Sequence, residues 1–216
     1  MLSKEFLVEY SAIGPGVVKT LKQKGYTLLG KGVDAQAWLE PKTGLILKIF
    51  GFSLNRDYSG ELSRAQHSFK LFADYCQKNS NNPFLPEFFG WEQFKFEDEM
   101  YLQIRMERLF PMKKTGWGEV LNNISERAED DKSSASKQEF LDEYFPKQKP
   151  DHPYNGTPYE EVFAHLGKDG FDTLWNTCYD LGQIARRGRY ILDLHPGNFM
   201  LGSDGHIVIS DPFYTP

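Results

Sequence analysis

The chain has 216 residues, 40% of them hydrophobic and 15% aromatic, with a formal net charge of -5 at pH 7. That size suits one large domain or two small lobes with a real core. The charge balance lacks the Lys/Arg excess that displaces counterions from nucleic-acid phosphates, so no nucleic-acid partner is expected. No apolar run reaches the ~18 residues of a membrane span, and the N-terminal MLSKEFLVEYSAIG is charged and broken too early for a secretory signal. A cytoplasmic protein without a membrane partner is therefore expected. Cys76 and Cys178 lie far apart without ligand spacing and read as reduced thiols.

In chain order, residues 3 to 24 read as two short helices separated by Gly14-Pro15-Gly16, the second with an apolar stripe of Val17, Val18 and Leu21. Tyr26 to Leu29, Ala37 to Leu39 and Leu45 to Phe50 read as three antiparallel strands. The first two are joined by Gly30-Lys31-Gly32-Val33-Asp34-Ala35 and the last two by Pro41 to Gly44. Gly30 and Gly32 make a flap whose backbone, free of Cβ, can approach phosphate oxygens and offer N–H donors, though such a pair is also a common turn former. Lys48 interrupts an otherwise apolar strand. It fits an edge or solvent-face position, or a point charge aimed at nucleotide phosphates.

Residues 57 to 78 fit an amphipathic helix with Leu62, Ala65, Phe69, Phe72, Ala73 and Cys76 on its apolar face. Glu61 falls on the first turn, where it reads as a partner for Lys48, with Asp57 as the alternative, or as a helix-start acid favoured by the macrodipole. Phe88 to Phe96 and Tyr101 to Leu109 add two strands around Glu97-Asp98-Glu99, giving five in all. Pro111 then suggests a hinge. The expected lobes are 1–107, with a helical extension at 1–24, and 108–216.

In the second lobe Trp117 to Arg127 reads as helix, and the polar, proline-punctuated residues 128–158 read as an exposed, partly mobile insertion. Tyr159 to His165 and Phe171 to Arg187 are helical, the latter with Leu174, Cys178, Leu181 and Ile184 on one side. The cluster Arg186-Arg187-Gly188-Arg189 ends this helix and either complements its C-terminus or contacts an anion or substrate.

The stretch from Tyr190 to Phe213, YILDLHPGNFMLGSDGHIVISDPF, carries the chemistry. A loop bears Asp193, His195 and Asn198, a strand follows at Phe199 to Leu201, and Gly202 to Gly205 make a tight turn. The strand His206 to Ser210 then delivers Asp211. Groups able to bind a metal or take up a proton thus gather at the mouth of one hairpin, as a phosphoryl-transfer site requires.

Taken in order, the glycine flap, strand lysine, helix glutamate, Met106-Glu107 hinge, Asp193 with Asn198 five positions on, and Asp211 resemble the protein-kinase-like superfamily from about Tyr26 to the end of the chain. The resemblance implies an α+β, two-lobed protein-kinase-like fold, with a five-stranded antiparallel sheet in the N-lobe and a minimal, truncated helical C-lobe. It implies ATP and Mg²⁺ as cofactors and Asp193 as the base. It also implies Asn198 and Asp211 as metal ligands, and Lys48 with Glu61 as an ion pair. Gly30, Gly32 and Ala35 would then cover the phosphates, with Met106 and Glu107 beside the adenine and His195 in place of the kinase lysine.

Departures narrow the resemblance. Ile191-Leu192 stands where most protein kinases have His-Arg, Pro212-Phe213 where they have Phe-Gly, and no activation segment or Ala-Pro-Glu motif follows Asp211. Regulation by activation-loop phosphorylation is therefore not expected within this chain. The pattern looks most like the compact serine/threonine protein kinases of short-tailed bacteriophages and mobile elements, which implies protein substrates, among them host proteins. The loop Asp-Leu-His-Pro-Gly-Asn is also similar to that of aminoglycoside and choline phosphotransferases. A small-molecule phosphotransferase and a catalytically silent kinase-like binding module are the alternatives.

Overall fold

The computed structural model describes residues 13–32, 35–51, 63–97, 99–114, 116–144 and 157–214. These form a mixed α+β protein with five α-helices among the described residues and a five-stranded antiparallel sheet. They divide into two compact units. One holds the residues up to Lys78 with Glu87–Arg108; the other holds Asn79–Pro86 with Leu109 onward. Among the described residues no helix is long and apolar enough to cross a membrane.

In the first unit the strands are β1 (Thr27–Lys31), β2 (Ala35–Leu39), β3 (Ile46–Phe50), β4 (Phe88–Phe96) and β5 (Glu99–Met106), in the order β1-β2-β3-β5-β4. Successive strand residues point to opposite faces, and each face is closed by one helix. Trp38, Leu47, Ile49 and Tyr101 pack with Ile13 and with Val17 and Leu21 of α1 (Pro15–Gln23). On the other side α2 (Arg64–Lys78) brings Phe69 to Phe50, centroids 4.8 Å apart, and Phe72 edge-on to Phe88 at 5.8 Å.

Helix α2 opens behind a capping box. The Gln66 N–H donates to Ser63 Oγ at 3.2 Å and the Ser63 N–H to Gln66 Oε1 at 3.0 Å. The helix is described from Arg64. Glu61, Asp57 and Leu62 lie outside the described residues, as do residues 1–12 of the expected extension and Val33 and Asp34 of the flap. Ala65 is only half-buried, and Gln66 and Ser68 join the buried face instead.

The second unit contains α3 (Trp117–Asp130), α4 (Ser134–Tyr144) and α5 (Pro158–Gly188). Helix α5 breaks at Gly167 (φ 63, ψ 179), a backbone region essentially reserved for glycine, so the two helices expected there are joined at one residue. Helix α4 corrects the expected mobile insertion. Phe140 is 1% exposed and lies 5.6 Å from Trp175 and 5.9 Å from Phe171, ring centre to ring centre. Ser133 caps the helix, accepting the Ser136 N–H at 3.2 Å, while Asp131 accepts the Ser133 N–H at 2.7 Å and the Ser136 hydroxyl at 2.6 Å. Residues 145–156 of the insertion lie outside the described residues.

Two boundaries also move. Strand β5 ends at Met106 rather than Leu109, and Phe110–Pro111 form β6, paired with β8 (Phe199–Leu201). As an edge strand of a three-stranded sheet, β6 tolerates a proline without an N–H. Asn79–Pro86 belong to the second unit because Asn82 Nδ2 donates to Thr177 Oγ1 at 2.7 Å, Phe84 and Leu85 are buried, and the Ile209 N–H reaches Phe84 O at 2.9 Å.

Candidate functional site

In the sheet unit the register places Gly30 opposite Ala37, Ala37 opposite Lys48, and Lys48 opposite Ile104. Directly paired residues share a face, so these four form one row across the sheet. Strand β3 is the middle strand, which removes the edge alternative for Lys48. The lysine is half-buried, with Nζ 3.8 Å from the Phe69 ring centre and 5.1 Å from that of Phe50. Beside it in the row stand Ala37 and Gly30, two small residues. A Cβ at Gly30 would meet no atom within 4 Å, so the chain's own packing does not demand glycine there.

Two expectations for this unit change. Gly30 lies inside β1, not in the turn, and Gly32 follows the strand, its N–H donating to Ala35 O at 2.8 Å. Ala35 is a strand residue opposite Phe50, only 8% exposed, so it is not part of the flap turn. Met106 ends β5 as a buried residue. Glu107 closes onto Glu87: its N–H donates to Glu87 O and its Oε1 accepts the Glu87 N–H, each at 2.9 Å.

In the second unit β7 (Ile191–Leu192) pairs with β10 (Phe213–Tyr214), and β8 pairs with β9 (Ile207–Ile209). Asp193, His195 and Asn198 lie between β7 and β8, and Asp211 between β9 and β10. Backbone bonds tie these segments together. The Asp193 N–H donates to Pro212 O at 2.8 Å, and the Ser210 N–H donates to Asn198 O at 2.9 Å. Asp211 is therefore held between a residue bonded to Asn198 and a residue bonded to Asp193. The Ser210 hydroxyl adds a bond to Asn198 O at 3.2 Å, and Asn198 Nδ2 donates to Asp193 O at 2.6 Å.

That last bond fixes the amide. With Nδ2 committed to a carbonyl, Oδ1 is the atom Asn198 presents to a cation. Among the described residues no group of three or more His, Cys, Asp or Glu could hold a metal. One amide oxygen and one carboxylate still fit Mg²⁺, which binds through one or two carboxylates and fills its octahedron with water and substrate phosphates. Asp193 and His195 are both accessible, with side chains 38% and 55% exposed.

Sequence reasoning missed Ser210, whose role depends on the hairpin register, and a cleft of about 160 Å³ lined by Met112, Lys114, Gly116, Gly118, Glu119 and Pro196. Lys114 stacks on Trp117 at 3.7 Å, and the indole N–H donates to Glu161 at 2.9 Å. Arg186 bonds Glu129 O at 3.0 Å and Asp130 Oδ1 at 2.5 Å, so it complements the C-terminal end of α3. No family model matches the chain, and no curated protein matches it significantly.

Proposed function

We propose that the chain is a Mg²⁺-ATP-dependent protein kinase of the phage or mobile-element type, with a protein-kinase-like two-lobed fold, which passes the γ-phosphate to Ser/Thr hydroxyls of proteins, host proteins among them. The observation that carries this reading is the frame around Asn198. Its amide is tied to Asp193 and its carbonyl to Ser210, one residue before Asp211. Phosphoryl transfer needs positioning and charge neutralisation more than covalent chemistry, and such a frame supplies positioning.

The roles follow from the groups. Asp193 accepts the proton of the attacking hydroxyl. Asn198 Oδ1 and the Asp211 carboxylate would hold Mg²⁺, which when bound neutralises charge on the transferring phosphates. Lys48 would bring its ammonium to the phosphates from the same row as Gly30 and Ala37, whose small size lets phosphate oxygens approach the backbone.

Incubation with labelled ATP and a cell lysate tests this. Wild type should label proteins, and Asp193→Ala and Asp211→Ala should not; equal labelling by either variant overturns the assignment. A small-molecule phosphotransferase is the second reading, favoured by the cleft beside Pro196, where Glu119 can meet a cationic acceptor. ATP consumption stimulated by an aminoglycoside or amino-alcohol panel, without protein labelling, selects it.

A further inference from the structure

His195 caps the one-turn 3-10 helix Pro196–Asn198: its Nδ1 accepts the Gly197 N–H at 3.0 Å, as a serine or aspartate oxygen would at a helix start. A ring nitrogen accepts only when it carries no proton, so a neutral imidazole seated this way keeps its hydrogen on Nε2. Pro196, at the first position of the turn, has no N–H to compete for the ring. A Cβ at position 197 would stand 2.8 Å from His195 Cε1 and 3.2 Å from Nδ1, so glycine is what lets the ring lie against the turn. His195 Nε2 is 4.0 Å from Asp193 Oδ2, too far for a direct hydrogen bond. An oxygen about 2.8 Å from each atom fits between them.

We infer that the Gly197 N–H holds the His195 ring with Nε2 facing outward as a donor, and that this donor and the Asp193 carboxylate together grip one oxygen, the acceptor hydroxyl of the phosphoryl transfer proposed above, on which this inference rests. The hydroxyl donates to Asp193 Oδ2 and accepts from His195 Nε2–H. In the transfer its proton passes to Asp193 and its oxygen bonds the γ-phosphorus. The bond from that phosphorus to the bridging oxygen breaks, and its electron pair leaves on ADP. His195 keeps its hydrogen throughout. Lysine in this place would bring a full charge; the ring brings direction without one. Gly197 is a positioning residue, acting only through the ring it seats.

Imidazole ¹⁵N spectra of the full chain test the seat at about pH 8.5, well above the ordinary histidine value. The His195 signals are identified by their loss in His195→Gln. Wild type should show Nδ1 unprotonated and Nε2 protonated, and Gly197→Ala should mix the two forms. In the kinase assay Gly197→Ala should lower kcat about tenfold with the KM for ATP unchanged. His195→Gln, which keeps a neutral donor, should retain more activity than His195→Ala, expected to lose about 100-fold, as removal of one preorganised donor does. A proton on Nδ1 in wild type, or a Gly197→Ala variant with unchanged spectrum and turnover, overturns the inference. The spectra need no turnover, so an inactive wild type would instead count against the phosphotransfer reading.

Discussion

Phe140→Ala separates a packed helix α4 from a solvated loop at the same place in the sequence. Phe140 is 1% exposed, with its ring 4.6 Å from Tyr144, 5.6 Å from Trp175 and 5.9 Å from Phe171. Truncating a buried phenylalanine loses its transfer free energy and leaves a cavity, together about 3–5 kcal/mol. For a chain of this length each kcal/mol moves the melting temperature by about 2–4 °C, so a fall of about 6–20 °C is expected. Phe140→Leu, which keeps most of the volume, should lose well under half of that. Thermal unfolding followed by tryptophan fluorescence reports the change, because Trp175 lies against the substituted ring and donates from Nε1 to Asp131 O at 2.9 Å. Surface substitutions stay within about 0.5 kcal/mol. A melting temperature within about 2 °C of wild type would refute the packed helix.

Asn198→Asp keeps an oxygen for a cation but removes the amide hydrogens and sets a carboxylate against the Asp193 carbonyl, now 2.6 Å from Nδ2. Turnover should fall roughly 5–150-fold, as about 1–3 kcal/mol of lost bonding implies, and excess Mg²⁺ should not restore it; rescue by Mg²⁺ would show that the amide bond does not matter. Lys48→Met keeps the stem against Phe69 and Phe50 and removes only the charge. Its melting temperature should stay within a few degrees of wild type while ATP turnover collapses, and intact turnover in this variant would remove Lys48 from the site. Hydrogen bonds from Ser136, then Ser133, hold the Asp131 carboxyl below its ordinary value. A depressed folded value stabilises above the unfolded value near 4 and is lost as pH falls through the lower folded one. The melting difference between wild type and Asp131→Ala should therefore hold above about pH 4 and shrink as the pH is lowered below it, and a pH-independent difference contradicts the cap.

How much of this was legible in the sequence depended on where each signal resided. Alternation and turn residues are local, so β3, β4 and the β8–β9 hairpin were readable to within a residue or two. The edge alternative for Lys48 stayed open because strand order is non-local: β5, more than fifty residues on, covers the side of β3 that β2 leaves free. Helix α4 was hidden by its composition. One buried aromatic amid Ser, Lys, Gln, Glu and Asp gives no stripe, and the Ser133 cap looks like any polar loop until Phe140 is seen to be covered. Arg186 was ambiguous for the same reason, since the carbonyl and carboxylate it bonds come from the end of a helix some fifty-six residues earlier.

The frame at the candidate site has a property that sharpens any test made on it. The Asp193 N–H to Pro212 O and Ser210 N–H to Asn198 O bonds, with the β7–β10 and β8–β9 ladders, are made by backbone atoms. Replacing the Asp193 or Asp211 side chain removes none of them. Pro212 suits its place for the same reason: it lacks an N–H, but its carbonyl is all that the bond to Asp193 uses. Both aspartate variants therefore keep these backbone bonds. Loss of labelling in them then reports on the carboxylates themselves, whereas in Asn198 variants, where the side chain belongs to the frame, the same loss mixes chemistry with position.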